Sequence, residues 1–270
     1  MLICPVCACP LTLQDRTARC DKGHCFDLSK EGYLNLLMGS GSHGHGDDKK
    51  MLLARRAFLE KGYYAPLLSE LENAAVKFFP QGGTFLDAGC GEGYYTEGVL
   101  LRLAAEGKEP IGFGFDISKE AVRLSAKKLG GLGRFFVAST FHIPMEKESV
   151  DLLFSLFAPY AESEFLRVLK NGGILVRAVP LEDHLYSLKA ALYEKPTRNL
   201  AAATVGEGFF IIDEIQVKKE IFLDSSEDIF NLFGMTPYAH KTSLQDMKKL
   251  GALKSLHTEM DIGIIIYRKR

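Results

Sequence analysis

The sequence has no run of about 18 apolar residues, the shortest that crosses a bilayer as a helix, so no membrane span is expected. It also lacks the charged n-region and apolar h-region of a secretory signal, which predicts a cytoplasmic protein whose thiols stay reduced. Charge of one sign is missing as well: 33 Lys and Arg stand against 34 Asp and Glu, with seven His. Bulk charge therefore announces no polyanionic partner, and local pairs such as Lys218-Lys219 and Lys248-Lys249 read as solvated surface. No internal repeat is evident. What is present is 270 residues, 47% of them hydrophobic, enough for one large core and a small appendage.

Residues 39–50, GSGSHGHGDDKK, contain no apolar side chain and cannot bury a core, so 37–53 is expected to be a flexible linker between a module at 1–36 and a domain at 54–270. Beyond it, short apolar runs alternate with helical periodicity. The runs are Thr84–Ala88, Ile111–Phe115, Phe135–Ala138, Val150–Leu156 and Ile174–Val179, and the tail adds Phe209–Val217 and Ile262–Tyr267. Apolar runs separated by helices mean βαβ units and a parallel sheet covered on both faces. The expectation is an α/β Rossmann-like fold with a seven-stranded sheet.

In a reducing compartment the six cysteines need a reason other than disulfides. Cys4-Pro5-Val6-Cys7 is followed, after 12 residues, by Cys20-Asp21-Lys22-Gly23-His24. Two short ligand pairs, each on a tight turn, suit a tetrahedral zinc site, because one turn can offer two ligands to a borderline-soft cation. Cys9 and Cys25 stand close enough to replace a ligand. A redox Cys-x-x-Cys lacks the βαβ context that such a motif needs.

The second motif is Phe85-Leu86-Asp87-Ala88-Gly89-Cys90-Gly91-Glu92-Gly93, an apolar strand running into a Gly-x-Gly-x-Gly turn and a helix. The glycines permit a tight turn and close backbone approach to a ligand at the switch point of the sheet. Asp87 ends the strand, where its carboxylate could orient the loop or receive an ammonium group. Asp116 ends the next strand and can accept two ribose hydroxyls. Ser139 ends the third, where an adenine edge would lie. The glycine spacing favours S-adenosylmethionine over a dinucleotide with its pyrophosphate. The fourth strand ends in Ser155-Leu156-Phe157-Ala158-Pro159-Tyr160. It lacks the polar residue and Pro-Pro of enzymes that methylate exocyclic adenine amines. Phe157 and Tyr160 can either stack on an extruded base or sit in the core.

With these residues in place, the chain resembles the bacterial 23S rRNA guanine-N1 methyltransferases over nearly its full length. The likeness runs through Cys20-x-x-x-His24-x-Phe26-Asp27, Lys30-Glu31-Gly32-Tyr33-x-Asn35-Leu36-Leu37, Ala54-Arg55-Arg56-Ala57-Phe58-Leu59, Gly89–Thr96 and Met235-Thr236-Pro237. It implies a zinc ribbon for RNA recognition joined to a class I methyltransferase domain. It also implies zinc ligands at Cys4, Cys7, Cys20 and His24 and cofactor contacts at Tyr64, Gly91, Glu92 and His184, beside Asp87, Gly89, Asp116 and Ser139 from the motif. The departures are Ala88, Phe157-Ala158 and Tyr160, which touch the base pocket and not the fold.

Guanine N1 carries a hydrogen, so the enzyme must position N1 in line with the methyl-sulfonium and accept or relay a proton. His184, Asp183 and Glu92 are the candidate acceptors, with Tyr160 beside the base. A paired guanine hides N1, so the expected substrate is an unpaired base in a hairpin loop of 23S rRNA. Arg55 and Arg56 are expected to help the module grip the RNA, and a homodimer is left open. The alternatives are a methyltransferase for a small molecule and a non-catalytic RNA-binding protein that keeps a vestigial cofactor fold.

Overall fold

The computed structural model describes residues 1–39, 46–200, 206–240 and 242–270. Thr12–Gln14 (β1), Thr17–Arg19 (β2) and Cys25–Asp27 (β3) form a small antiparallel sheet in the order β1-β2-β3. Its strands have only three residues each, and few of their side chains are buried. Tyr33–Asn35 (β4) follows. The long part of the chain then runs Lys49–Glu60 (α1), Ala65–Phe78 (α2), Thr84–Ala88 (β5), Tyr94–Ala105 (α3), Ile111–Asp116 (β6), Lys119–Leu129 (α4) and Gly133–Val137 (β7). It continues through Val150–Leu156 (β8), Glu162–Val168 (α5), Leu169–Pro180 (β9), Tyr186–Leu192 (α6), Phe209–Leu223 (β10), Ser226–Gly234 (α7), Leu244–Ala252 (α8) and Leu256–Lys269 (β11).

The main sheet has eight strands in the order β10-β11-β9-β8-β5-β6-β7-β4. Strands β4 to β9 pair in parallel, and the hairpin of β10 and β11 adds antiparallel at one edge. Seven of these strands match the expected sheet. The eighth, β4, comes from the residues assigned to the N-terminal module: Tyr33, Leu34 and Asn35 pair with Phe135, Phe136 and Val137 of β7. Tyr33, Leu34 and Leu36 are buried there, so the module's end is an edge of the large sheet. Hydrophobic side chains on both sides of β4 leave this strand little choice but to be covered. The expected linker over 37–53 falls partly on residues 40–45, outside the described residues. Lys49 to Leu53 are the first turns of α1, started by Asp48, whose carboxylate accepts from the Met51 N–H at 2.9 Å. The N-cap acid supplies one of the acceptors that the first helical turn lacks.

The apolar runs are covered on both faces. Phe85, Leu152, Phe154 and Val176 face one core with α2 and α6; Leu86, Phe115, Phe136 and Leu153 face the other with α5. The order of strands reverses direction around β5, whose neighbours are β6 and β8. A doubly wound sheet leaves a crevice at such a point, outside the carboxyl ends of its strands.

Candidate functional site

That crevice is a cleft of about 870 Å³. All eight expected cofactor residues line it: Tyr64, Asp87, Gly89, Gly91, Glu92, Asp116, Ser139 and His184. Backbone geometry explains the glycines. Gly89 has φ +85°, and a Cβ there would lie 2.8 Å from the Ala158 Cβ across the cleft, so alanine would meet both strain and a clash. Gly93 has φ +88° and begins α3. Asp116 fixes the loop from the next strand: one oxygen accepts from the Gly91 N–H at 3.0 Å and the other from the Ser118 N–H at 2.8 Å.

Asp87 is 1% exposed; Oδ2 accepts from the Thr96 hydroxyl at 2.6 Å, while Oδ1 has no partner among the described residues. Burial pushes its carboxyl up to about 7, the Thr96 hydrogen bond holds it down, and the charge of Asp116 raises it further. A buried carboxylate with a free oxygen at the turn is suited to a cation. Glu92 is buried too, with Oε2 taking the Arg56 Nε–H at 2.6 Å and Oε1 without a partner among the described residues. Arg56 is thus turned inward, and Arg55 pairs with Asp47 and reaches the Met235 carbonyl. Arg56 thus ties α1 to the glycine loop, while Arg55 holds it to Asp47 and to the Met235 carbonyl, and both arginines stay partly exposed.

His184 is 8% exposed. Its Nδ1 accepts from the Asp261 backbone N–H at 3.2 Å, and Nε2 lies 3.5 Å from the Tyr64 hydroxyl. Burial lowers its pKa to about 4. A neutral imidazole whose Nδ1 lone pair is occupied carries its proton on Nε2. In this geometry His184 presents a donor to the cleft beside the Tyr64 hydroxyl. Asp183 does not line the cleft. Its oxygens bind Arg198 and Lys218, and these cations hold its carboxyl below the usual range, Lys218 foremost. Tyr160 also turns away: its ring lies 4.3 Å from the Arg177 guanidinium and packs on Phe165. Phe157 instead stands at the cleft with φ +54°, half of its surface exposed, held by its N–H to the Ala178 carbonyl. A bulky residue in the left-handed region is strained, which is the mark of a side chain aimed by its surroundings.

In the N-terminal module the ligand atoms of Cys4, Cys7, Cys20 and His24 all lie within 4.8 Å of one another. Cys7 Sγ is 3.6 Å from Cys20 Sγ, and His24 Nδ1 is 3.5 Å from Cys4 Sγ and 3.4 Å from Cys20 Sγ. A tetrahedron with bonds of about 2.3 Å to sulfur and 2.0 Å to nitrogen has edges of about 3.5–3.8 Å, so the four groups fit zinc. The Cys9 N–H lowers the Cys7 thiol to about 7, toward the thiolate that a metal binds. Cys9 and Cys25 stand outside the group. The module is bound to the domain by a bridge between Leu2 and Met145 and by the Ile3 N–H on the Pro144 carbonyl. Between them lies a second cavity of about 640 Å³ that runs from Pro5 and Val6 to Ser139 and Phe141, the last two also lining the cleft.

Two family models match this chain: a zinc ribbon described as "RlmA, N-terminal" over residues 2–38 and a "Methyltransferase domain" over 86–177. The "23S rRNA (guanine(748)-N(1))-methyltransferase" of Streptomyces fradiae is 35% identical over 71% of this chain and 67% of its own length. The "Putative 23S rRNA (guanine-N(1)-)-methyltransferase YxjB" of Bacillus subtilis is 30% identical over 100% of this chain and 97% of its own. That likeness spans ribbon, glycine loop and terminal hairpin alike, and the chain belongs to the 23S rRNA (guanine-N1)-methyltransferase family.

Proposed function

We propose that this chain is a cytoplasmic enzyme that transfers a methyl group from S-adenosylmethionine to N1 of an unpaired guanine in a hairpin loop of 23S rRNA. The observation that carries this reading is the continuity of the two cavities: Ser139 and Phe141 wall both the cleft and the groove reaching the zinc module. An extruded base and the strand that carries it can occupy both at once, which a metabolite would not need. The cofactor, when bound, supplies an electrophilic methyl on a sulfonium. In this reading Asp116 takes the ribose hydroxyls, Ser139 lies at the adenine edge, and the free oxygen of Asp87 meets the ammonium. The His184 Nε2–H and the Tyr64 hydroxyl present donors to the cofactor's carboxylate end. Phe157 offers a stacking face to the base. Zinc is held by Cys4, Cys7, Cys20 and His24 as a closed structural site.

The test is methyl transfer from labelled S-adenosylmethionine to 23S rRNA hairpin fragments, with mass mapping of the modified atom. A guanine N1 product supports the reading. Transfer to a metabolite alone, or to another atom of the RNA, overturns it. Sedimentation of the same preparation, with and without RNA, decides the homodimer.

A further inference from the structure

Arg177 sits in β9 between Val176 and Ala178, within the segment Ile174–Pro180 whose other side chains are all apolar. It is 6% exposed, lines the cleft, and its Nη1 has no hydrogen-bond partner among the described residues. The groups around it are Tyr160, whose ring lies against the guanidinium, and the Tyr267 hydroxyl. Glu162, the acid beside Tyr160, accepts from the Gly206 N–H. Taking a cation out of water without a carboxylate costs several kcal/mol, so a fold keeps one only where something else uses the charge.

The neighbouring strand supplies a second unused donor. Ser155 of β8 is the register partner of Arg177 and lines the cleft, and its hydroxyl is likewise buried and without a partner among the described residues. Register partners on adjacent strands sit about 4.8 Å apart and point to one face. Asp87, Asp116 and Ser139 lie at or just past the ends of β5, β6 and β7, which leaves the space above the ends of β8 and β9, beside His184, to the acceptor. Beneath that space lie a guanidinium and a hydroxyl, each with a buried atom that has no partner among the described residues.

We infer that Arg177 and Ser155 form an oxyanion site for guanine O6, and that this site makes N1 nucleophilic and selects guanine over adenine. This inference rests on the guanine-N1 reading above. When the N1–H bond breaks, its electron pair spreads over N1, C6 and O6, and the proton leaves to water. The N1 pair then forms the bond to the methyl carbon, and the carbon–sulfur pair stays on sulfur as a neutral thioether. Charge that collects on O6 is stabilised by donors that need no reorganisation, which is where such groups act most strongly. The planar guanidinium can also approach edge-on, as a lysine cannot. Adenine presents an amino donor at the same position, which the Ser155 hydroxyl could accept but which would leave the donor-only guanidinium of Arg177 facing it.

The test uses the full-length protein with the rRNA fragment on which the wild type acts. Single-turnover rates are measured against pH for Arg177→Met, Arg177→Lys and Ser155→Ala. The expected losses are about 100-fold for Arg177→Met and about 10-fold for each of the others, with the rise in rate displaced to higher pH by about one unit or more in Arg177→Met. A second readout needs no turnover: with S-adenosylhomocysteine bound, a fragment carrying 6-thioguanosine at the target should ionise at lower pH on the wild type than free in solution, seen by near-ultraviolet absorbance. On Arg177→Met this displacement should vanish. Calorimetric affinity for S-adenosylhomocysteine, unchanged within about twofold, shows that the cleft is intact; if Arg177→Met does not fold, Arg177→Lys carries the test. Equal pH profiles and equal thioguanosine spectra overturn the inference. So does a loss of S-adenosylhomocysteine affinity of tenfold or more, which would give Arg177 to the cofactor. If the wild type itself does not methylate guanine N1, the reading beneath has failed instead.

Discussion

Two aspartates at the mouth of the glycine loop carry opposite loads. Asp116 spends one lone pair of each oxygen on loop N–H groups and keeps the others for hydroxyls. Asp116→Ala should therefore lose both the loop contact and the ribose, weakening S-adenosylmethionine by about 1–3 kcal/mol in calorimetry, the range for charged hydrogen bonds. An unchanged Kd would contradict its assignment. Asp87 keeps a free oxygen, and its carboxyl is held up near 7 by burial. Below that pH it is protonated and offers no charge to an ammonium; above it the charge is present. Affinity for S-adenosylhomocysteine should rise between about pH 6 and pH 8 and then level off. Asp87→Asn should bind more weakly and flatten the profile, and a wild-type profile without that rise would remove Asp87 from the cofactor's ammonium. Both aspartates were legible in the sequence, since Asp87 stands at the end of an apolar run before the glycine turn and Asp116 ends the next apolar run. Arg177 was not: it is one cation inside the apolar run Ile174–Val179, where the only signal is that a strand covered on both faces should not contain one.

At the scale of elements, the glycine loop and the zinc module depend on opposite devices. The loop is fixed by backbone conformation. Gly89→Ala places a Cβ at 2.8 Å from Ala158 in a left-handed residue and should reduce cofactor affinity by tenfold or more, as calorimetry would show. An affinity within twofold would mean that the loop can shift aside. The zinc module has three short strands and buries little beyond Cys4, Ala18 and Cys20. Without metal it lacks the core to stay folded, because zinc supplies the folding free energy of such units. Cys4→Ser with Cys7→Ser should release the zinc, measured by metal analysis, and strip hydrogen-exchange protection from β1 to β3. Affinity for S-adenosylhomocysteine should stay nearly intact, since β4 and the parallel strands keep their own core. Full zinc retention in the double variant would sink the ligand assignment. Helix α1 shows the limit of composition: Lys49 and Lys50 read as linker because they are charged, yet the Asp48 cap and the packing of Met51 and Leu52 make them a helix start.

Over the whole molecule, the N-terminal module and the methyltransferase domain are not two beads on a string. Strand β4 belongs to the large sheet, Glu31 lies 3.7 Å from Arg123 on α4, and Leu2 bridges to Met145. Removing residues 1–36 takes away the buried side chains of Tyr33, Leu34 and Leu36 together with the zinc ligands. At roughly 1.5–3 kcal/mol per buried side chain, that truncation should lower the unfolding free energy by at least about 3 kcal/mol in guanidinium titrations. A truncation that ends at residue 28 keeps β4 and should be markedly more stable, while still losing rRNA methylation. If both truncations unfold alike, β4 is not part of the domain's core. If the shorter one still methylates rRNA at the full rate, the module has no part in recognition.

The sequence alone determined what depends on local spacing: two ligand pairs on tight turns, an apolar strand ending in Asp and Gly-x-Gly-x-Gly, and the alternation of runs and helices that dictates a parallel sheet. These are short-range facts, because a turn, a pleat and a metal chelate each involve residues close in the chain. Tertiary structure alone decided which side chains meet across strands. It turned Arg56 onto Glu92, placed Asp183 between Arg198 and Lys218 outside the cleft, and set the Asp261 N–H on His184 so that the imidazole donates. It also brought Ser155 and Arg177 into register at the cleft floor. Those pairings depend on strand order and register, and strands β8 and β9 become neighbours only through a helix between them. No local pattern records which side chains such a crossover brings face to face.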